Sequence, residues 1–452
     1  MLKFYNTLTR KIEEFKPLNK SKVNIYSCGP TIYSYVHLGN LRAFLFYDLL
    51  RRYLKYKGFK VKQVMNITDV DDKTIKGAND EKMSLKEFTE KYEKLFFEDL
   101  KKLNVETFEY YPRATEHIKE MVKIVQILLK NGYAYKTDDG IYFSVAKFDS
   151  YGNLTGQKLK QIEAGIRIKK DEYDKEEAHD FALWKFWDET DGDVFWETEV
   201  GKGRPGWHLE CSAMSMKYLG KTLDIHTGGI DLIFPHHQNE IAQSEASTGK
   251  PFVNYWMHNE HLMVEGKKMS KSLGNLYTLK DLEKKGYNPK VIRYELISSH
   301  YRQRSNFTFK GLDASKNAID KLTNFVELSK GKKDGEIIGE LIKKAKTKFE
   351  EAMDEDLNIS EGLAVIFEFV KEANKIGAGK KACKAIMEFD EVLGILSYEK
   401  EDVPEEIKEI AKEREEARTK KDWKTSDKLR DEIKNKGYSI EDLDTGYRLK
   451  KI

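Results

Sequence analysis

The stretch VNIYSCGPTIYSYVHLGNLRAFL, from Val23 to Leu45, changes its period midway, and that change restricts the fold more than any other feature of the chain. VNIYS is short and apolar and runs into a Cys-Gly-Pro turn, so it reads as a buried strand. LRAFLFYDLLRRYL then places Leu41, Phe44, Leu45, Leu49 and Tyr53 at helical spacing. In open parallel sheets, ligands bind beyond the carboxyl ends of the strands, where helix N-termini offer free amide donors and a positive dipole end. Cys28 and the turn His37-Leu38-Gly39-Asn40 both fall there.

FKVKQVMNI reads as a second strand ending in the polar cluster Asn66, Thr68, Asp69, Asp71 and Asp72. Strand, helix and strand in so short a span make a βαβ unit, which sets this cluster beside Cys28 at one sheet edge. Residues from about Ser84 to Leu129 are helical in period, broken at Pro112. Between Tyr133 and Pro205 the character changes: GIYFSV reads as a strand among polar, turn-rich segments, as expected of an insertion dividing a larger sheet domain. Strand character resumes at TLDIHTGG. From Leu312 onward apolar residues recur at helical spacing, so a helical bundle is expected, followed by a Pro404 linker, a basic helical tail and a short hairpin over YSIEDLDTGYRLKK.

A chain of 452 residues exceeds one compact core. No run approaches the roughly 20 apolar residues of a membrane span, and the first residues lack an apolar signal core, so a soluble cytoplasmic protein is expected. Three cysteines, Cys28, Cys211 and Cys383, fit a reducing compartment rather than a disulfide framework. With 79 basic residues against 76 acidic ones, the charge balance neither demands nor excludes a polyanionic partner.

Cys211 sits in GRPGWHLECSAMSM, and PHHQNEIAQSE places His236 and Glu240 four apart, on one face of an expected helix. Thiolate, imidazole and carboxylate are all zinc ligands. On spacing alone Cys28 and Cys211 fit small buried hydrophobes, and His236 a satisfied histidine, better than they fit ligands, although both cysteines fall at element ends beside the expected cleft. Lys268-Met269-Ser270-Lys271-Ser272 gathers two amines and two hydroxyls in one turn able to follow phosphate charge during a displacement. Trp207, one helical turn before Cys211, could wall a pocket. Asp231 follows the Gly228-Gly229 pair, whose flexibility would let a nucleotide approach the backbone, and Thr31 and Thr68 could bind substrate or cap their own turns. Cys383 is assigned to packing.

Taken together, YSCGPTIYSYVHLGNLRAF, NITDVDDK, GRPGWHLECSAMS, DIHTGGIDLIFPHHQNEIAQSE, WMHNEHLMVEGKKMSKSLGN and DEDLN resemble the cysteinyl-tRNA synthetases, a family of class I aminoacyl-tRNA synthetases. The resemblance runs nearly end to end. It implies an α/β fold: a Rossmann-type parallel-sheet catalytic domain in two parts, 1–130 and 206–250, split by a connective insertion, 131–205. A linking domain with the lysine loop, 251–313, an all-α helical bundle, 314–397, and a small C-terminal anticodon-binding unit, 398–452, would follow. It further implies one zinc ion on Cys28, Cys211, His236 and Glu240, and ATP with magnesium at His37, Gly39, Asn40, Asp231, Lys268, Ser270 and Lys271. His37, Asn40, Lys268 and Lys271 would act in catalysis, and Thr31, Thr68 and Trp207 would line the amino-acid pocket.

The implied partners are L-cysteine, ATP and tRNA(Cys), with no membrane, and a monomer is the family's commonest form. A rival is a cysteine-activating ligase that transfers cysteine to an amino sugar; another is a non-catalytic RNA-binding paralogue, which degraded motifs would mark. Asn40 stands where the class turn has histidine, Thr227 interrupts a glycine run, and Gln238 replaces a glutamate. VFWETEVGKG and the terminal LDTGYRLKK also depart from the family pattern.

Overall fold

Val23, Ile25 and Tyr26 have no solvent exposure, because the strand that carries them, Lys22–Ser27, lies inside a four-stranded parallel sheet. The computed structural model of the protein describes residues 1–156, 180–270, 273–396, 403–442 and 447–451. Across the sheet the strands run Val253–Asn259, Leu223–Gly229, Lys22–Ser27 and Lys60–Met65, all parallel. The helix Leu38–Tyr56 makes the crossover between the third and fourth of these, burying Leu41, Phe44, Leu45, Leu49 and Tyr53. An amino-terminal hairpin, Lys3–Asn6 with Lys11–Glu14, joins the sheet's edge strand where the Thr7 amide donates to the Trp256 carbonyl.

Three features go beyond what the period of the sequence announces. The stretch 84–129 forms two helices, Leu85–Lys102 and Ile118–Lys130. Between them the chain is extended beside Lys60–Met65, with the Met65 amide bonded to the Tyr110 carbonyl and the Ile67 amide to that of Pro112. Strand Val253–Asn259 belongs to the core sheet rather than to a linking domain beginning at 251, since its backbone pairs with Leu223–Gly229 along its length. The third concerns the aspartates after Thr68. Asp69 accepts from the Thr115 amide and hydroxyl, Asp71 caps the helix Asp72–Glu81, and Asp72 pairs with Lys185 and Arg204 of the insertion. Each is taken up by the scaffold.

The insertion builds its own antiparallel sheet from Ala134–Lys136, Gly140–Phe143, Phe181–Phe186 and Gly203–Pro205. Its last strand runs directly into the helix Trp207–Leu219. After the core sheet, Leu262–Val264, Lys267–Lys268 and Ser305–Phe307 form a small sheet that carries the lysine loop. Helices Phe309–Ser329, Ile338–Asp354, Ile359–Ile376 and Lys380–Leu393 form the expected bundle.

A buried ion pair joins the helix Leu38–Tyr56 to the helix Pro289–Ile297, which precedes the bundle. Asp48 and Arg293 are both fully buried, 2.6 Å apart, and Arg293 also donates to the carbonyls of Leu103 and Leu393. Removing Arg293 takes from buried Asp48 one of its two cations, Arg52 remaining at 2.7 Å, and takes a donor from the carbonyls of Leu103 and Leu393, which together costs about 3 kcal/mol. Arg293→Met is therefore expected to lower the stability of the folded chain by that amount, read as a fall in its urea midpoint. An unchanged midpoint would show that the pair contributes nothing.

The compact unit formed by these elements ends at Leu396. The tail is a second unit, with helices Glu405–Thr419 and Trp423–Asn435 and the expected hairpin, Tyr438–Asp442 with Tyr447–Lys451. Ile407, Ile410, Ala411 and Ile433 form its core, and the buried Arg414 guanidinium donates twice to Asp442. Among the described residues, no helix is long and apolar enough to cross a membrane.

Candidate active site and metal centre

Four donors from separate parts of the chain meet beyond the sheet's carboxyl edge. Cys28 follows the strand Lys22–Ser27, and its amide donates to the Thr227 carbonyl of the next strand. Cys211 lies one turn into the helix Trp207–Leu219, and Glu240 near the start of the helix Gln238–Thr248. His236 is not on that helix. It occupies the π-helical turn Ile233–His237 that runs into it, past a kink at Phe234, and as expected of residues four apart it faces Glu240, at 3.1 Å.

All four side chains are buried, and their sulfur, nitrogen and oxygen donors lie within 4.8 Å of one another. Donors bound at about 2.0–2.3 Å around a tetrahedral zinc ion stand about 3.3–3.8 Å apart, so small side-chain adjustments close this set on such an ion. Two thiols, an imidazole and a carboxylate suit it chemically.

At two of the four donors, Cys211 and Glu240, the electrostatics favour the ligating form. Burial pushes the Cys28 thiol well up, with Cys211 adding to the effect. Cys211 is also buried, yet its hydrogen bond with Cys28 and the neighbouring His236 bring it down to about 6. Burial opposes charge on Glu240, but His226 and His236 outweigh it and hold the carboxyl at about 2. Thiolate and carboxylate are the forms a soft divalent cation requires.

Around the four lies a shell of histidines. His226 Nε2 is 2.9 Å from Glu240 Oε2, and His208 Nδ1 is 2.8 Å from His236 Nδ1. His237 bridges Cys28 Sγ at 3.2 Å and His258 at 2.7 Å, and His258 meets the Thr7 hydroxyl at 2.8 Å. Burial, with neighbouring imidazoles, lowers His237 well below the ordinary range and His258 to about 3, so both stay neutral and can orient ligands. Cys28, His226, His237 and Glu240 form a second, overlapping group of donors. Gly228 packs against the His237 ring, so its missing side chain makes room for that imidazole.

Trp207, 36% exposed, stacks on His236 with ring centroids 4.2 Å apart and so borders the donor cluster. Thr31 and Thr68 pair through their backbones, and the Thr68 hydroxyl donates to Glu210 at 2.8 Å. Glu210 is buried beside Cys211, and its other carboxyl oxygen has no partner among the described residues.

The expected nucleotide turn caps the helix Leu38–Tyr56. His37 Nδ1 accepts from the amides of Gly39 and Asn40, at 3.1 and 3.4 Å, which leaves Nε2 to carry the proton. Asn40 Oδ1 accepts from the His37 amide, so where the class turn has histidine this side chain closes the cap and keeps its amide donors. A side chain at Gly39 would strike Met269, placing its Cβ 2.5 Å from Met269 Cε. The turn and the lysine loop therefore touch. In the loop, Asn275 pins the backbone by accepting from the Ser270 amide and donating to the Lys268 carbonyl. Lys268 is exposed, whereas Lys271 and Ser272 lie outside the described residues. Asp231 follows Gly229, is exposed, and its charge acts on His37. Cys383 lies far along the chain on the helix Lys380–Leu393, apart from these donors.

A parallel-sheet cleft with a histidine-capped turn on one side and a lysine loop against it belongs to the class I tRNA synthetases. The fold likeness extends to a solved Mycobacterium tuberculosis methionyl-tRNA synthetase in complex with methionyl-adenylate, with a TM-score of 0.60 and 14% identity over 83% of this chain and 90% of that one. Residues 14–317 match the model described as tRNA synthetases class I (C) catalytic domain. Residues 348–397 match the DALR domain, and 400–447 the cysteinyl-tRNA ligase anticodon binding domain. The chain is 47% identical to a cysteine--tRNA ligase of Protochlamydia amoebophila, over 100% of this chain and 98% of the relative. It is 46% identical to one of Brachyspira hyodysenteriae, over 99% of each. The chain belongs to the cysteinyl-tRNA synthetase family of class I synthetases.

Proposed function

We propose that this protein attaches L-cysteine to tRNA(Cys) with ATP, as a cytoplasmic monomer. The cysteine carboxylate attacks the α-phosphorus of ATP, forming cysteinyl-adenylate and releasing pyrophosphate. The 3′-terminal ribose hydroxyl of the tRNA then attacks the acyl carbon, and AMP leaves. Magnesium accompanies ATP.

The observation that carries this reading is the buried convergence of Cys28, Cys211, His236 and Glu240 beside the histidine-capped turn. Those four would hold one zinc ion, which when bound supplies a Lewis acid that favours thiolate over thiol. Trp207 shields that centre, and Thr31 and Thr68 contribute polar groups for the amino-acid backbone. The N-terminus of the helix Leu38–Tyr56 turns its positive end toward the triphosphate, with the His37 Nε2 proton and the Asn40 side-chain Nδ2 as donors. Gly39 lets the nucleotide come close, and Asp231 lies near for its polar atoms. Lys268, Ser270 and Lys271 follow the charge as it moves onto pyrophosphate, so catalysis is positional and electrostatic. Lys271→Ala is expected to slow adenylate formation about 10²- to 10³-fold with zinc content intact, in single-turnover assays. Loss of zinc in that variant would mean that the fold had been damaged.

The test of the whole reading is cysteine-dependent exchange of pyrophosphate into ATP, with metal analysis and two acceptors, tRNA(Cys) and an amino sugar. Exchange, about one zinc per chain and tRNA charging are expected. Transfer to the amino sugar alone would replace this reading with the ligase one, and no cysteine-dependent exchange would remove both.

A further inference from the structure

The helix that begins at the nucleotide turn carries a buried cation that the reaction scheme above does not use. Arg42 is 2% exposed, and its hydrogen bonds run to backbone carbonyls and one hydroxyl. It donates to the carbonyls of Glu260, His261 at 3.1 Å, His300 at 3.2 Å and Gln303 at 2.7 Å, and lies 3.5 Å from the Ser299 hydroxyl. Such a cation is held by neutral dipoles, an arrangement that only the planar five-donor fork of arginine can span.

These acceptors share a location. Glu260 and His261 immediately precede the strand Leu262–Val264, and His300 and Gln303 precede its parallel neighbour Ser305–Phe307. Leu262–Val264 also pairs with Lys267–Lys268, setting Met263 opposite Lys268. Arg42 thus grips the backbone just ahead of two strands of the small sheet from which the lysine loop projects. On the far side of the loop, the Leu38 amide donates to the Tyr277 carbonyl at 2.9 Å, and His37 pairs with Thr278. The helix is tied to the loop at its root and at its exit.

We propose that Arg42 is a positioning residue for adenylate formation: by clamping the sheet that bears Lys268 to the helix of the histidine-capped turn, it fixes the distance between the two phosphate-binding elements. The proposal rests on the nucleotide-site reading given above. Its action is confined to the step in which phosphate charge moves, because the hydrogen bonds of the clamp all run to the loop side of the cleft rather than to the metal side.

The experiment is a double-mutant cycle in the full chain with Arg42→Lys and Lys268→Ala, read by cysteine-dependent pyrophosphate exchange. Displacement by about 1 Å of a positioned group costs about 10²-fold, so Arg42→Lys is expected to lower kcat to that degree. KM for cysteine and zinc content should not change. If Arg42 acts by placing Lys268, the double variant loses little more than the worse single variant, whereas independent effects multiply. Multiplying effects, loss of zinc, a raised KM for cysteine or an unchanged kcat would each overturn the proposal. So would failure of both Arg42→Lys and Arg42→Gln to fold, which would make the residue a structural strut. Absence of exchange in the parent protein would instead remove the nucleotide-site reading itself.

Discussion

Cys211→Ser is expected to release the bound zinc and abolish cysteine-dependent pyrophosphate exchange. The substitution is nearly isosteric, so the helix Trp207–Leu219 and its packing stay in place. What changes is the donor. A hydroxyl ionises far less readily than a thiol and is a poor ligand for a soft cation. The loss also reaches the neighbours, since Cys211 charge is the largest influence raising His236, which burial would otherwise lower. Altering an outer partner of a metal ligand costs about 10- to 100-fold in affinity, so removing a ligand outright should cost more than about 100-fold. Metal analysis after dialysis and exchange assays measure both consequences. Cys383→Ser, outside the site, serves as the control that should change neither. Retention of one zinc with full exchange would exclude Cys211 from the centre.

Discrimination against serine should be larger still. A pocket that recognises its substrate through one group rejects an analogue lacking that group by about 10⁴ to 10⁵, without hydrolytic correction. Here the group is a sulfur whose pKa of about 8.5 falls further on metal coordination. Serine offers a hydroxyl that leaves the ion poorly satisfied. We expect kcat/KM for serine in pyrophosphate exchange to lie about 10⁴-fold or more below that for cysteine. Addition of tRNA to serine and ATP should produce no continuing ATP consumption. Serine activation within about tenfold of cysteine would refute metal-based selection, and so would a ratio that survives Cys211→Ser. The two experiments together separate selection by the centre from selection by the shape of the pocket.

Where the period of the sequence alone determines burial, the fold could be read in advance. The strand and helix around Cys28 and the tail hairpin appear where alternation and helical spacing placed them. Elements fixed by partners could not be read in this way. Residues 108–114 alternate too weakly to announce a strand and become extended only because Lys60–Met65 offers its edge. The strand Val253–Asn259 resembles any apolar run, and only pairing with Leu223–Gly229 assigns it to the core sheet.

The site shows the same division. Resemblance to a family supplied Cys28, Cys211, His236 and Glu240 as a set, and the structure brings their donors together. Helical spacing set His236 and Glu240 on one face, and they meet at 3.1 Å; what it did not announce is the kink at Phe234 just before His236. Asp69, Asp71 and Asp72 each meet a scaffold partner that the sequence does not announce. Glu210, His208, His226, His237 and His258 went unassigned because adjacency to a ligand in sequence does not say which face of an element turns inward. One signal did exist: five of the ten histidines in the chain crowd the short stretch from His208 to His258.

The distance along the chain between Cys28 and Cys211 bears on how this protein is made. The strand that carries the first cysteine is synthesised long before its neighbour Leu223–Gly229, with which it pairs in register. Closing so long a loop costs little more entropy than closing one half its length, about 0.6 kcal/mol. The sequence of events is nevertheless fixed. On the ribosome, the early βαβ unit emerges with one edge and one thiol uncovered before the insertion and the late half of the sheet. A nascent chain stalled before Glu240 would therefore be a clean reagent for asking how cells shield an exposed sheet edge.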